Sequence, residues 1–62
     1  MTIYELLEYL MDGTSITIFD TNVEEDVASF EDKDAMDESD YLDWTLDSFE
    51  CDKNRIVINA HN

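Results

Sequence analysis

Basic residues are nearly absent from this 62-residue chain: three Lys and Arg stand against 17 Asp and Glu, for a formal net charge of −14. That imbalance excludes direct nucleic-acid binding, which rests on Lys and Arg neutralising phosphates. It equally excludes attraction to an anionic membrane surface. Proline is missing, and glycine, cysteine and histidine occur once each. A single glycine leaves no material for a Gly-rich phosphate loop. A single cysteine, Cys51, leaves no intramolecular disulfide. Small secreted domains usually need several, so a reducing, cytoplasmic setting is expected. No apolar run approaches the roughly 20 residues that cross a bilayer. The N-terminal stretch has no basic residue and carries Glu5 and Glu8, so a signal peptide is not expected.

Apolar material is well represented despite the charge. Tyr4, Tyr9, Phe19, Phe30, Tyr41, Trp44 and Phe49, with the runs Ile16-Thr17-Ile18 and Ile56-Val57-Ile58, distinguish the chain from a disordered acidic tail. Residues 1–62 are therefore read as a single small acidic domain. The charge is uneven. From Asp20 to Lys53 the chain holds fourteen acids against Lys33 and Lys53.

Residues 2–12 read as a helix. Thr2 and Glu5 form a T-x-x-E capping box, and Ile3, Leu6, Leu7 and Leu10 make one stripe. Glu5, Glu8 and Asp12 fall opposite, and Gly13 is placed to end the helix. Residues 15–19 read as a strand, with Ile16 and Ile18 on one face and Thr17 and Phe19 on the other. Thr21 and Glu24 suggest a second capping box, and Val23, Val27 and Phe30 at i, i+4 and i+7 a short helix. Glu31 to Asp40 is mostly acid and reads as a loop or a frayed helical turn. The chain then closes on a hairpin. A two-residue loop at Lys53-Asn54 would pair Cys51 with Ile56 and Phe49 with Ile58 on one face. Leu42, Trp44 and Leu46 have the opposite parity. Either a bulge near Asp47-Ser48 resets the register or the strand starts after Tyr41. The expected fold class is α+β: an N-terminal helix packed on a small, mostly antiparallel three-stranded sheet, with a short acidic helix or loop in the middle.

No catalytic constellation accompanies these elements, and no enzyme activity or cofactor is expected. His61 reads as an exposed near-terminal residue. Cys51, facing Ile56, reads as a small buried hydrophobe. A calcium loop beginning at Asp32, with Asp34 third and Asp43 twelfth, has Met36 at its fifth position and Asp37 where the sharp turn needs glycine. No dedicated metal site follows from it.

The acids themselves form the candidate site. A solubility surface on a small domain carries a net charge of roughly 2 to 8 in magnitude. Carboxylates two apart on a strand stand about 6.6 Å apart, and helical i, i+4 neighbours about 6 Å. Rows of that kind imitate the phosphates of a nucleic acid. Asp43 and Asp47 would share a strand face with Thr45 between them. Glu24, Glu31, Asp32, Asp34, Asp37, Glu38 and Asp40 would continue the row. Tyr41 is the candidate aromatic anchor, with Trp44 and Phe30 divided between anchor and core. The partner so described is a basic, nucleic-acid-binding protein.

Three segments carry a resemblance: the helix Thr2-Ile3-Tyr4-Glu5-Leu6-Leu7, the strand end Thr17-Ile18-Phe19-Asp20, and the closing strand Arg55-Ile56-Val57-Ile58-Asn59. The chain is similar in style to small acidic proteins of bacteriophages and prophages, among them anti-CRISPR proteins. The resemblance covers most of the chain and transfers no individual functional residue. It implies an inhibitor of host defence in the cytoplasm of a bacterial host. Such a protein would act on a CRISPR effector nuclease by blocking its duplex-reading site or its guide–target channel. The alternative is a small acidic phage adaptor or regulatory protein that binds a basic partner without competing with nucleic acid.

Overall fold

The computed structural model describes residues 1–11 and 13–62. Its elements are α1 (Ile3–Leu7), β1 (Ser15–Asp20), β2 (Glu25–Phe30), α2 (Lys33–Asp37), β3 (Thr45–Asp52) and β4 (Arg55–His61). The four strands form one mixed sheet in the order β2-β1-β4-β3. β1 pairs antiparallel with β2 and parallel with β4, and β3 pairs antiparallel with β4. β2 and β3 thus lie on opposite edges, joined by the crossover that contains α2. The core is Ile3 and Leu6 of α1, Met36 of α2, Ile16 and Ile18 of β1, and Ile56, Ile58 and Ala60 of β4. The class is α+β as expected. The sheet, however, has four strands rather than three, and its central pairing is parallel.

Local chemistry explains the first helix and its shortness. Glu5 N–H donates to Thr2 Oγ1 at 3.4 Å, and Thr2 N–H donates to Glu5 Oε1 at 3.0 Å. The capping box forms as read. The helix nevertheless stops at Leu7, with Glu8 as its cap, and continues only as turns from Tyr9 to Leu6 and Leu10 to Leu7. Glu8 places a negative charge at the negative end of the helix dipole, and no basic residue sits in the last turn to offset it. The expected extension to Asp12 falls on a position outside the described residues. Gly13 has φ 82 and sits in the loop entering β1, not directly after the helix.

The second correction is β2. The i, i+4, i+7 spacing of Val23, Val27 and Phe30 does not become a helix. Asp20 Oδ1 accepts from Asn22 N–H at 2.8 Å, and Glu24 N–H donates to the Asp20 carbonyl at 2.7 Å. These bonds close a turn over Thr21–Glu24 and send the chain back along β1. Thr21 therefore caps nothing; its hydroxyl donates to Asp47 Oδ2 at 2.8 Å. Three apolar residues at helical spacing carry little weight against an unpaired β1 edge that satisfies a whole strand's backbone. Glu24 ends the turn at φ 57, a conformation that suits glycine. Glu24→Gly should raise stability by about 0.5–1 kcal/mol, the relief of the left-handed strain less the entropy of a glycine. A thermal melt checks this; an unchanged or lowered midpoint would refute it.

The closing hairpin matches its reading. Cys51 pairs with Ile56, Phe49 with Ile58, and Asp52 with Arg55 across Lys53-Asn54. The parity conflict is resolved in both ways at once: β3 starts at Thr45, and its register shifts between Leu46 and Ser48, leaving Asp47 as the inserted residue. The bulge lets Leu46 and Phe49 lie on the same side of the sheet. Cys51, however, is exposed rather than buried. It lies on the outermost strand, whereas α1 and α2 cover β1 and β4, so its face has nothing above it.

Candidate partner-binding surface

No described Asp or Glu is buried, and only Asp20 and Asp32 are half-buried. The core takes none of the charge, so repulsion acts through solvent, where salt screens it.

The candidate residues do not form one row. Asp32 is the N-cap of α2, and its Oδ1 accepts from Ala35 N–H at 3.0 Å. Its carboxylate is engaged in holding the helix. α2 then stands Asp34 and Asp37 one turn apart and buries Met36 beneath them. Glu31, Asp34, Asp37, Glu38, Asp40 and Asp43 are all exposed. Glu24 precedes β2 and Glu31 follows it, so the two are separated by the whole strand, roughly 17 Å from Glu25 to Phe30 by strand rise. Asp43 precedes β3 rather than lying in it, so it does not share a strand face with Asp47.

Asp47 is placed apart from the run. Its Oδ2 accepts from Thr21 Oγ1 at 2.8 Å and lies 2.8 Å from His61 Nδ1. A carboxylate only accepts, so the proton of this contact sits on His61. His61 is consequently no frayed terminal residue: it closes β4 and pins it to the β3 bulge. The hydrogen bond from His61, then that from Thr21, holds the Asp47 carboxyl below the ordinary carboxylate range. A depressed folded pKa gives stability that is present above the unfolded value, near 3.9, and is lost as pH falls through the folded one. The thermal midpoint of the native chain should therefore exceed that of Asp47→Asn at about pH 6, and the gap should shrink as pH drops below about 4. A gap independent of pH would show that the bonds to Asp47 are not ionic.

The aromatic candidates are only partly available. Tyr41 is half-buried, with its ring edge-on to Trp44 at 4.9 Å and to Phe30 at 6.3 Å. Its hydroxyl donates to the Val27 carbonyl at 3.4 Å. Phe30 and Trp44 pack with it against the core. These rings tie the acidic connection to the sheet. The rings that do face solvent are Tyr4 (56%), Tyr9 (75%) and Phe49 (48%), which the acid-centred reading did not select. Tyr4 and Glu8 are legible as an outward pair, because both lie off the Ile3, Leu6, Leu7 stripe.

Tertiary packing adds a feature that the sequence does not announce. α1 and α2 flank a shallow cleft of about 240 Å³ lined by Tyr4, Leu7, Glu8, Lys33, Asp34 and Asp37. It brings Glu8 to the same opening as Asp34 and Asp37. Among the described residues, no group of three or more His, Cys, Asp or Glu is arranged to hold a metal ion. Among the described residues, no helix is long and apolar enough to cross a membrane. Comparison with protein-family models, with curated proteins and with solved structures returns no match.

Proposed function

We propose that this protein is a non-enzymatic inhibitor that occupies the basic nucleic-acid-binding site of another protein by imitating DNA or RNA. The expected target is a CRISPR effector nuclease, and the protein would act as a phage anti-CRISPR in the host cytoplasm. The observation that carries the reading is the exposed strip Glu31–Asp43, which crosses from one sheet edge to the other on a folded support. Met36 and the Phe30–Tyr41–Trp44 rings anchor that strip, so its acids are displayed in a defined order rather than on a loose tail. Order matters because a preorganised polyanion loses less entropy on docking than a flexible one. The long axis of the molecule, 28 Å, matches roughly eight base-pair steps at 3.4 Å each. A body of that length can fill a short stretch of a duplex-binding channel. Glu24 and Asp47 lie outside the strip and contribute less directly.

The test is competition. A guide-loaded CRISPR effector nuclease is incubated with a labelled target duplex and increasing amounts of this protein. Duplex binding should fall in proportion to the fraction of nuclease occupied, and more steeply at low salt than at high salt. Formation of a ternary complex, with duplex and protein bound together and neither weakening the other, would remove mimicry and leave the adaptor reading.

A further inference from the structure

The sheet has two edges, and each carries a register shift, at Val27 of β2 and at Asp47 of β3. They differ in what covers them. On β2 the Val27 carbonyl accepts the Tyr41 hydroxyl. On β3 the first two residues are already covered by the chain itself. Thr2 bridges Thr45 in antiparallel fashion, and Leu46 N–H donates to the Met1 carbonyl at 2.7 Å. From Ser48 to Asp52, among the described residues, no backbone outside β4 pairs with the strand. Every second residue of an antiparallel ladder turns its N–H and C=O away from its partner. This stretch therefore presents a regular row of backbone donors and acceptors next to a place where the same edge accepts an added strand.

Natural edges are commonly blunted with proline, a bulge or charged side chains. Ser48–Asp52 has no proline and lies past the bulge at Asp47. Its charges are Glu50 and Asp52, opposite Val57 and Arg55, on the open face of the sheet, where they repel a like-charged strand and not a basic one. Phe49 and Cys51, opposite Ile58 and Ile56, lie on the helix side, and Phe49 is 48% exposed where the helices no longer reach. A second copy of the chain is a poor occupant, because like charges facing across strands are unfavourable and each copy carries −14. A basic strand is favoured by the same charges. The alternation also sets its pattern, with Lys or Arg beside Glu50 and Asp52 and an apolar side chain beside Phe49.

We infer that Ser48–Asp52 of β3 is a docking edge that takes an extended segment of a partner protein as a fifth strand, the segment alternating basic and apolar residues. The inference shares with the proposed function only the sign of the partner's charge. It uses none of the acids from Glu31 to Asp43, and loss of nucleic-acid competition would leave it standing.

The probe is an acetylated heptapeptide, Lys-Val-Lys-Val-Lys-Val-Lys, titrated into the isotopically labelled full chain. Amide shifts and slowed hydrogen exchange are expected at Ser48–Asp52. The same peptide N-methylated at alternate backbone positions, on the edge that meets β3, should not bind. Glu50→Gln with Asp52→Asn should raise Kd about two- to thirtyfold, as expected for two exposed charge pairs. Asp37→Asn with Asp40→Asn removes the same net charge elsewhere and should change Kd by less than about twofold. Equal binding by the N-methylated peptide would overturn the docking edge, as would equal weakening by the two double variants. Shifts centred on Asp34–Asp43, or no binding at all, would do the same. A dimer in sedimentation without peptide, with protection at Ser48–Asp52, would assign the edge to a second copy instead.

Discussion

Ile58→Ala should remove about 2–5 kcal/mol of stability, the cost of deleting a buried branched side chain and leaving a cavity. Ile58 is fully buried at the centre of the sheet, where it pairs with Ile18 on one side and Phe49 on the other. Among the described residues the core has eight buried hydrophobic side chains, one of them Ala60, so neighbours can fill little of the gap. Domains of ordinary size hold about 5–15 kcal/mol in total, and one of this length belongs near the bottom of that range. The variant should be largely unfolded at 25 °C or lose most of its urea midpoint. Leu7→Ala is the internal comparison. Leu7 is half-buried and lines the cleft between α1 and α2, so its loss should be clearly smaller. Urea titrations followed by circular dichroism measure both. A near-native midpoint for Ile58→Ala would mean that the parallel β1–β4 pairing is wrong.

The second large effect concerns binding. Replacing Asp37, Glu38, Asp40 and Asp43 with Asn or Gln removes four charges from the exposed strip and keeps its shape. Exposed ion pairs contribute about 0.2–1 kcal/mol each, so affinity for a basic partner should fall by roughly 1–4 kcal/mol. The loss should appear chiefly as slower association and should diminish as salt rises. The fold should respond in the opposite direction. A chain of net charge −14 repels itself, and removing four like charges should raise its thermal midpoint. A more stable protein that binds less well separates a binding role from a structural one. If the quadruple variant blocks the nuclease as well as the native chain does, the strip is not the working surface.

Much of the fold is legible because its causes are local. The Thr2–Glu5 capping box needs two residues three apart. The inward face of β1 needs only alternation, and Ile16 and Ile18 are fully buried on it, although Thr17 of the other face is buried as well because β1 lies inside the sheet. The register of the closing hairpin follows from a two-residue loop and the parity of Phe49, Cys51, Ile56 and Ile58. The parity conflict at Leu46 required either a bulge near Asp47-Ser48 or a strand starting after Tyr41, and both occur. Elsewhere the deciding contacts are distant in sequence. β2 exists as a strand because β1 offers it an edge, and that contact outweighs a weak helical spacing. Cys51 is exposed because its strand lies outside the cover of the helices, a fact of sheet order rather than of pattern.

The candidate surface divides along the same line. By itself the sequence determined that the acids stay outside, since burying an unpaired carboxylate is prohibitive. The net charge of −14 is what led us to propose a basic partner. Only the tertiary structure decided which acids stand together. It joined Glu8 to Asp34 and Asp37 through the packing of α1 on α2 and kept Glu24 a strand's length from Glu31. It also drew Asp47 into the bonds of Thr21 and His61. Charge is a property of each residue and adds up along any chain. Proximity between residues tens of positions apart depends on the order and direction in which strands pair, and that is settled by the whole core at once.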